Sequence, residues 1–146
     1  MRPEAFVRAL DDERIVAAIR AAESRTRAEV RVHLAARAVE DPQAAGARAF
    51  ERLGMTRTAE RNGVLLFVAP ASQSFAVLGD RGIHERCGDE LWTEVAAAMR
   101  EEFQAGRFTE GILAGIAKVA DELARHFPRS EGDGDRNELP DGVSRD

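Results

Sequence analysis

Two apolar runs separated by a short turn are the feature that most constrains how this 146-residue chain can fold. The first run, residues 64–69, is apolar at all six positions, and the second, residues 75–79, ends at Asp80. A short, continuous apolar run bounded by turn residues is typical of a strand that is buried on both faces. With a tight turn over residues 70–73, the two strands form an antiparallel hairpin that places Gly63 opposite Asp80.

Periodic patterns elsewhere predict one further strand and several helices. Residues 28–34 alternate between apolar and polar, which places Glu29, Arg31 and His33 together on the wetter face of a strand. Apolar residues at helical spacing predict helices over residues 11–25 and 41–53, between Gly88 and Gly106, and over residues 108–127.

The order of these elements predicts the architecture. The Glu29 strand, a helix and the residue 64 strand form a βαβ unit, which is right-handed in about 98% of cases and leaves its strands parallel. We therefore expect a three-layer α/β/α sandwich with a small mixed sheet of three to four strands and about four helices. Residues 1–127 would form this single domain, and residues 128–146 would form an acidic, mostly disordered tail.

Composition excludes several classes of partner and location. The net charge is −5, from 21 basic and 26 acidic residues, which argues against nucleic acid as a partner. The single cysteine, Cys87, has no partner for an internal disulfide, which indicates a reducing compartment. The N-terminus has no apolar signal core, and no apolar run approaches the ~20 residues that span a bilayer. We expect a soluble cytoplasmic protein without membrane insertion, a monomer or weak oligomer with an unidentified protein partner.

Three polar residues meet at one end of the predicted sheet. Parallel strands start at the same end, so Glu29 lies near Asn62, and the hairpin returns Asp80 to that end. Carboxylate and amide oxygens are hard ligands suited to Ca²⁺ or Mg²⁺, so Asp80, Asn62 and Glu29 form a candidate metal site. The alternative is structural, because Asp80 can bond the backbone N–H groups of a turn and Glu29 can pair with Arg31 or Arg61.

The predicted loop over residues 56–61 lies at the same end and carries Arg57 and Arg61. A guanidinium group can hold a phosphate in a bidentate manner, so both are candidate phosphate contacts. In the alternative, Arg61 caps a helix or pairs with Asp80.

No other motif predicts chemistry. His84 and Cys87 lack the further Cys or His residues that a zinc site needs, and Cys87 fits a buried structural cysteine better than a nucleophile. Residues 133–137 begin like a calcium loop but have Glu138 where such a loop needs glycine. No pair of nucleophile and base is visible, so the catalytic residues are unknown and no organic cofactor is expected.

A spaced set of features includes the helix with Ile15 and Ile19, residues 26–32, 53–63, 78–83 and 106–108, and Trp92. Together they resemble the TPM domain family, named for founders in thylakoid-lumen phosphatase activity, photosystem II repair and receptor modulation. The resemblance covers residues 11–127 and is to the short, soluble bacterial type. It implies a three-layer α/β/α fold, a site for calcium or another divalent cation, and a phosphatase activity attributed to a plant member.

The sequence and the resemblance lead to one expected function and two alternatives. We expect a TPM-like cytoplasmic domain with a binding or regulatory role, holding a divalent cation at the sheet end through Glu29, Asn62 and Asp80. The first alternative is a metal-dependent hydrolase resembling an acid phosphatase. The second is a structural module for protein interaction.

Overall fold

The computed structural model describes residues 10–129 and 143–145, which form five α-helices and one four-stranded sheet. The helices are α1 (Asp12–Arg25), α2 (Pro42–Arg52), α3 (Arg81–Cys87), α4 (Glu90–Gln104) and α5 (Phe108–His126). The strands are β1 (Glu29–Leu34), β2 (Gly63–Ala69), β3 (Ser74–Gly79) and β4 (Val143–Arg145). The spatial order of the strands is β3-β2-β1-β4.

The hairpin of β2 and β3 has the predicted register. The two strands are antiparallel, with Val64 opposite Gly79, and the Asp80 N–H donates to the Gly63 carbonyl at 3.0 Å. A single 3₁₀ turn, Pro70–Ser72, joins them, and Gln73 closes it in the left-handed region at φ 51°. The tight turn is what returns Asp80 to the end of the sheet where β2 begins.

The crossover from β1 through α2 to β2 is also as predicted. β1 and β2 are parallel, and Glu29 lies opposite Gly63. Helix α2 begins where the sequence indicates, because the Asp41 side chain accepts hydrogen bonds from the first N–H groups and Pro42 takes the first position. Both strands therefore start at the same end of the sheet.

Helices cover both faces of the sheet, which confirms the three-layer α/β/α sandwich. On one face, α2 packs Ala49 and Phe50 against alternate residues of β2 such as Leu65. The other residues of β2 join the larger core cluster on the opposite face, which α1, α4 and α5 supply. All seven residues of β2 are buried, as its continuous apolar run predicts.

The wetter face predicted for β1 is wrong, because Glu29 is 3% and His33 2% exposed. Helix α2 lies on that side of the sheet, where it packs against β2 and β3, and β4 pairs parallel with β1 with Ser144 opposite His33. The Ser144 hydroxyl lies 2.6 Å from His33 Nδ1, and the imidazole stacks on Phe67 with ring centroids 5.8 Å apart. Within the predicted tail, residues 143–145 form this strand, and residues 130–142 and 146 lie outside the described residues.

Replacing Ser144 with alanine tests the attachment of β4 to β1. The variant removes a hydroxyl from a buried imidazole, so we expect the free energy of unfolding to fall by about 1–2 kcal/mol. Urea denaturation measures the loss, and the His33 ring resonances should shift while those of His126 stay in place. Ser24→Ala is the control, because the Ser24 hydroxyl is exposed. Equal stability of the two variants would contradict the attachment.

Candidate functional site

The polar residues predicted to meet at the sheet end do lie there, at the start of the parallel strands. Glu29 begins β1, Asn62 immediately precedes β2, and Asp80 immediately follows β3. The Glu29 N–H donates to the Asn62 carbonyl at 3.3 Å. We call this region, defined by Glu29, Asn62 and Asp80, the acidic end of the sheet.

Asp80 is engaged by Arg61. The Arg61 Nε lies 2.6 Å from Asp80 Oδ2 and the terminal nitrogen Nη2 lies 2.9 Å from Oδ1, a bidentate fork. The Asp80 side chain is 6% exposed and that of Arg61 is 33% exposed. Hydrogen bonding to Asp80 raises the pKa of Arg61 above its ordinary value. Arg61 therefore pairs with Asp80, which was the structural alternative to a phosphate contact.

Asp80 also starts a helix that the sequence pattern did not predict. Its Oδ1 accepts the Arg81 N–H at 2.8 Å, and its carbonyl accepts the Ile83 N–H at 3.0 Å, so Asp80 is the N-cap of α3. Helix α3 has seven residues, too few for a helical period to show in the sequence. Through the ion pair and the helix cap, Asp80 fixes the junction between β3 and α3.

The backbone of Arg61 completes this arrangement. Its φ is 52°, in the left-handed region that few residues other than glycine adopt, and its carbonyl accepts the Gly82 N–H at 2.9 Å. A Cβ on Gly82 would overlap the Glu60 carbonyl oxygen and lie 2.7 Å from that of Arg61. We call these contacts among Arg61, Asp80 and Gly82 the clasp.

Asn62 supplies an oxygen atom with no donor. The residue is 1% exposed, its N–H donates to Thr58 Oγ1 at 3.0 Å, and its Nδ2 lies 3.5 Å from the Arg27 carbonyl. Within residues 10–129 and 143–145, no group donates a hydrogen bond to the buried Asn62 Oδ1. A buried amide oxygen without a donor is uncommon and is available to a cation.

Glu29 faces a different layer from the larger core cluster. It pairs with Gly63, at which a side chain would meet Met55 and Phe50 on the α2 face of the sheet. Its neighbours Ala28 and Val30 contribute to the core on the opposite face. In the part of the chain that the structure describes, no three or more His, Cys, Asp or Glu residues form a group that could hold a metal ion.

The two candidate phosphate contacts have different surroundings. Arg61 is committed to Asp80. Arg57 is exposed and extends over Gly54, where a Cβ would lie 3.3 Å from the Arg57 side chain. Next to them, Arg27 forms a bidentate pair with Glu60, at 2.7 and 3.0 Å. The cationic side chains of this end are mostly paired with carboxylates of the same end.

Cys87 has no sign of an activated thiol. It lies at the last position of α3 rather than directly before a helix, and it is partly buried. Burial, with the nearby Glu122 carboxylate, raises the pKa of the thiol above its ordinary value. The thiolate fraction at neutral pH is therefore smaller than in an exposed cysteine.

The sequence reasoning missed a cavity at the other end of the sheet. Phe75, Phe103 and Phe108 line a cavity of about 410 Å³ beside the hairpin turn, and we call it the phenylalanine pocket. The Phe75 and Phe103 rings pack edge to face, with their centroids 5.5 Å apart. Phe103 and Trp92 are only partly buried, although both pack against the larger core cluster. The aromatic residues flanking the turns at residues 70–73 and at Gly106 were the signal in the sequence.

A second cavity, of about 460 Å³, runs along β3 beside Trp92, Ala96 and Arg100 of α4. We call it the edge groove. Phe75 and Arg100 line both cavities, so the edge groove and the phenylalanine pocket adjoin. As for membranes, no helix in the described ranges is both long and apolar enough to cross one.

Comparison with known proteins identifies relatives of this chain. A family model described as the TPM domain matches residues 3–122. The solution structure of the BA42 protein from the psychrophilic bacterium Bizionia argentinensis is 36% identical, with a TM-score of 0.85 over 92% of each chain. The N-terminal domain of a P. gingivalis protein shares the fold at 19% identity, with a TM-score of 0.61 over 79% of this chain and 76% of that one. No curated protein matches.

Replacing Gly82 with alanine tests the clasp. The added methyl group would collide with the backbone carbonyl oxygens of Glu60 and Arg61, so we expect a loss of about 2–3 kcal/mol in the free energy of unfolding. Chemical denaturation measures it. Arg81→Ala is the matched control on the same helix, because that side chain is exposed and its loss should cost no more than about 0.5 kcal/mol. If the two variants were equally stable, the close approach of α3 to residues 60–61 would not be required.

Proposed function

The chain belongs to the TPM domain family, and we propose that it is a binding and regulatory domain that accepts a divalent cation, Ca²⁺ first, at the acidic end of its sheet. The observation that carries the proposal is the buried Asn62 Oδ1, which has no hydrogen-bond donor among the described residues. It lies one residue before the strand that pairs with both Glu29 and Gly79, the neighbour of Asp80. Amide, carboxylate and backbone carbonyl oxygens are the ligand types that Ca²⁺ prefers.

Arg61 sets the strength of this binding. Its guanidinium already neutralises Asp80, so a cation and Arg61 compete for the same carboxylate. We therefore expect weak binding, on the order of millimolar, as in the weaker class of protein calcium sites. Competition also supplies a regulatory consequence, because a cation that takes Asp80 releases Arg61 and loosens the loop that precedes β2.

Hydrolysis is the less well supported alternative. A metal-dependent phosphatase needs a cation to polarise the phosphoryl oxygen and free arginine side chains to neutralise its charge. Of the two predicted phosphate contacts, Arg61 is held by Asp80, which leaves Arg57. The geometry favours a binding role over a hydrolytic one, and phosphate contact by Arg57 or Arg61 stays a prediction.

Calcium titration followed by NMR tests the cation site. In the unchanged protein we expect the Asn62 and Asp80 amide signals to shift at millimolar Ca²⁺. Arg61→Met should tighten binding by about tenfold, because the guanidinium is a full opposing charge at hydrogen-bond distance from the carboxylate. Asp80→Asn, which keeps a good helix cap, should abolish binding.

The matched control is Arg57→Met, which removes the same charge from the same loop without freeing Asp80. It should leave the affinity near that of the unchanged protein. Flat amide signals in both the unchanged protein and Arg61→Met would overturn the cation site. Equal tightening in the two arginine variants would mean that net charge, and not release of Asp80, governs the affinity.

Turnover of p-nitrophenyl phosphate separates the binding role from the hydrolytic one. With Ca²⁺ or Mg²⁺ present, we expect no turnover above that of Asp80→Asn. Arg61 is already paired with Asp80, and the described residues include no activated nucleophile. Metal-dependent turnover that disappears in a folded Asp80→Asn sample would establish the hydrolase instead.

A further inference from the structure

Strand β3 is an open edge of the sheet. Among the described residues, no strand lies beyond it in the order β3-β2-β1-β4. Because the Asp80 N–H donates to Gly63 on β2, the alternation of an antiparallel ladder assigns Ala76 and Leu78 to bonds with β2. Phe75, Val77 and Gly79 then direct their N–H and C=O groups away from the sheet. These groups form a template for one more strand.

The sequence of β3 does nothing to protect this edge. Natural proteins usually shorten an edge strand or place charges or proline on it, because an open edge pairs with other chains. β3 has six residues, Ser-Phe-Ala-Val-Leu-Gly, with no charge and no proline. The other edge strand, β4, has three residues and carries Arg145, which is paired with Asp12. An unprotected edge of this length indicates a site where pairing occurs.

The edge groove gives this site walls. Trp92, Thr93 and Ala96 of α4 form one side of a space of about 460 Å³ along β3, and Gln43 of α2 lies on the other. At the hairpin end, the groove adjoins the phenylalanine pocket, which can take a large apolar side chain. An added strand could therefore hydrogen-bond to β3, pack against α4 and place a side chain in the phenylalanine pocket.

Charge selects the occupant. The residues that line the edge groove and the phenylalanine pocket include Arg100 and no aspartate or glutamate, although the whole chain has a net charge of −5. Arg100 lies where the two cavities adjoin, with its guanidinium carbon 5.8 Å from the centroid of the Phe75 ring. A carboxylate on the incoming strand would meet a cation there and no opposing acidic side chain.

We propose that β3 accepts an extended acidic peptide of a partner protein, which adds a strand to the sheet, places a carboxylate on Arg100 and buries a large apolar side chain in the phenylalanine pocket. A second copy of the chain fits less well, because its β3 offers no carboxylate to Arg100. Arg100 and the phenylalanine pocket lie at the opposite end of the sheet from the cation site, and the edge groove extends along β3 to Gly79, next to Asp80.

Peptide selection on the full chain tests the proposal. Random seven-residue peptides displayed on phage should be enriched for sequences that combine Asp or Glu with Phe, Leu or Ile. Trp92 is the single tryptophan and lines the edge groove, so its fluorescence should report binding of a selected peptide. Absence of enrichment, or enrichment of Lys-rich and Arg-rich peptides, would overturn the proposal.

Matched variants then locate the binding. Ala96→Glu places a bulky negative charge in the groove and should weaken binding by tenfold or more, on the order of one such carboxylate contact. Ala97→Glu adds the same charge at an exposed position one residue along α4, outside the groove, and should bind as the unchanged protein does. Arg100→Gln removes the cation at an exposed position and should also weaken peptide binding, so it tests the site if Ala96→Glu does not fold. Equal affinity of Ala97→Glu, Arg100→Gln and the unchanged protein would overturn the assignment.

Amide exchange identifies the strand pairing itself. Adding the peptide should slow exchange at Phe75, Val77 and Gly79, whereas Ala76 and Leu78 should be protected throughout. If the first three amides were already protected in the free protein, another occupant would cover the edge. Protection that rises with protein concentration would identify a second copy, and protection independent of concentration would identify the chain itself; either result overturns the proposal.

Discussion

Burial of β2 on both faces is the constraint on which the rest of the fold depends. All seven of its residues are buried, so the strand needs helices above and below it and a neighbour on each side. The short turn supplies β3 on one side, and the α2 crossover supplies β1 on the other. The same crossover leaves α2 on one face, and α1, α4 and α5 cover the other. The three layers follow from one apolar run of the sequence.

Local sequence patterns were enough to predict most of the fold, but they did not predict pairings between residues far apart in the sequence. The register of the hairpin, with Gly63 opposite Asp80, follows from the turn, and the parallel pairing of β1 with β2 follows from the handedness of crossovers. His33 was placed on a wetter face because its alternation with valines looks like that of a half-exposed strand. In the structure the imidazole contacts Phe67 of β2 and Ser144 of β4, and no local pattern connects His33 to Ser144, which is 111 residues away.

The candidate site was predicted in position but only partly in arrangement. Topology brought Glu29, Asn62 and Asp80 to one end, because strand direction can be read from the order of elements. The ion pair between Arg61 and Asp80 was only one of the alternatives that the sequence left open. The left-handed backbone of Arg61, which accompanies this ion pair, cannot be read from the sequence. Polar residues are conspicuous in a sequence, whereas a cavity formed by Phe75, Phe103 and Phe108 is visible only after three elements have packed. That cavity lies beside Ala69, at the carboxyl end of β2, the side of an open α/β sheet where ligands usually bind.

The pairing of β4 with β1 has a consequence for how the protein is made. β1 is synthesised early, yet its outer partner follows more than a hundred residues later, so this contact closes a long loop and forms late in folding. On the ribosome, β1 can acquire its inner neighbours while its outer edge still waits for Ser144 to emerge. During that interval the second edge of the sheet is the six-residue β1 in place of the three-residue β4, so a longer row of backbone groups is open. Slower synthesis of the residues between β1 and β4 would therefore prolong the time for which the outer edge of β1 is open, even for a sequence that is left unchanged.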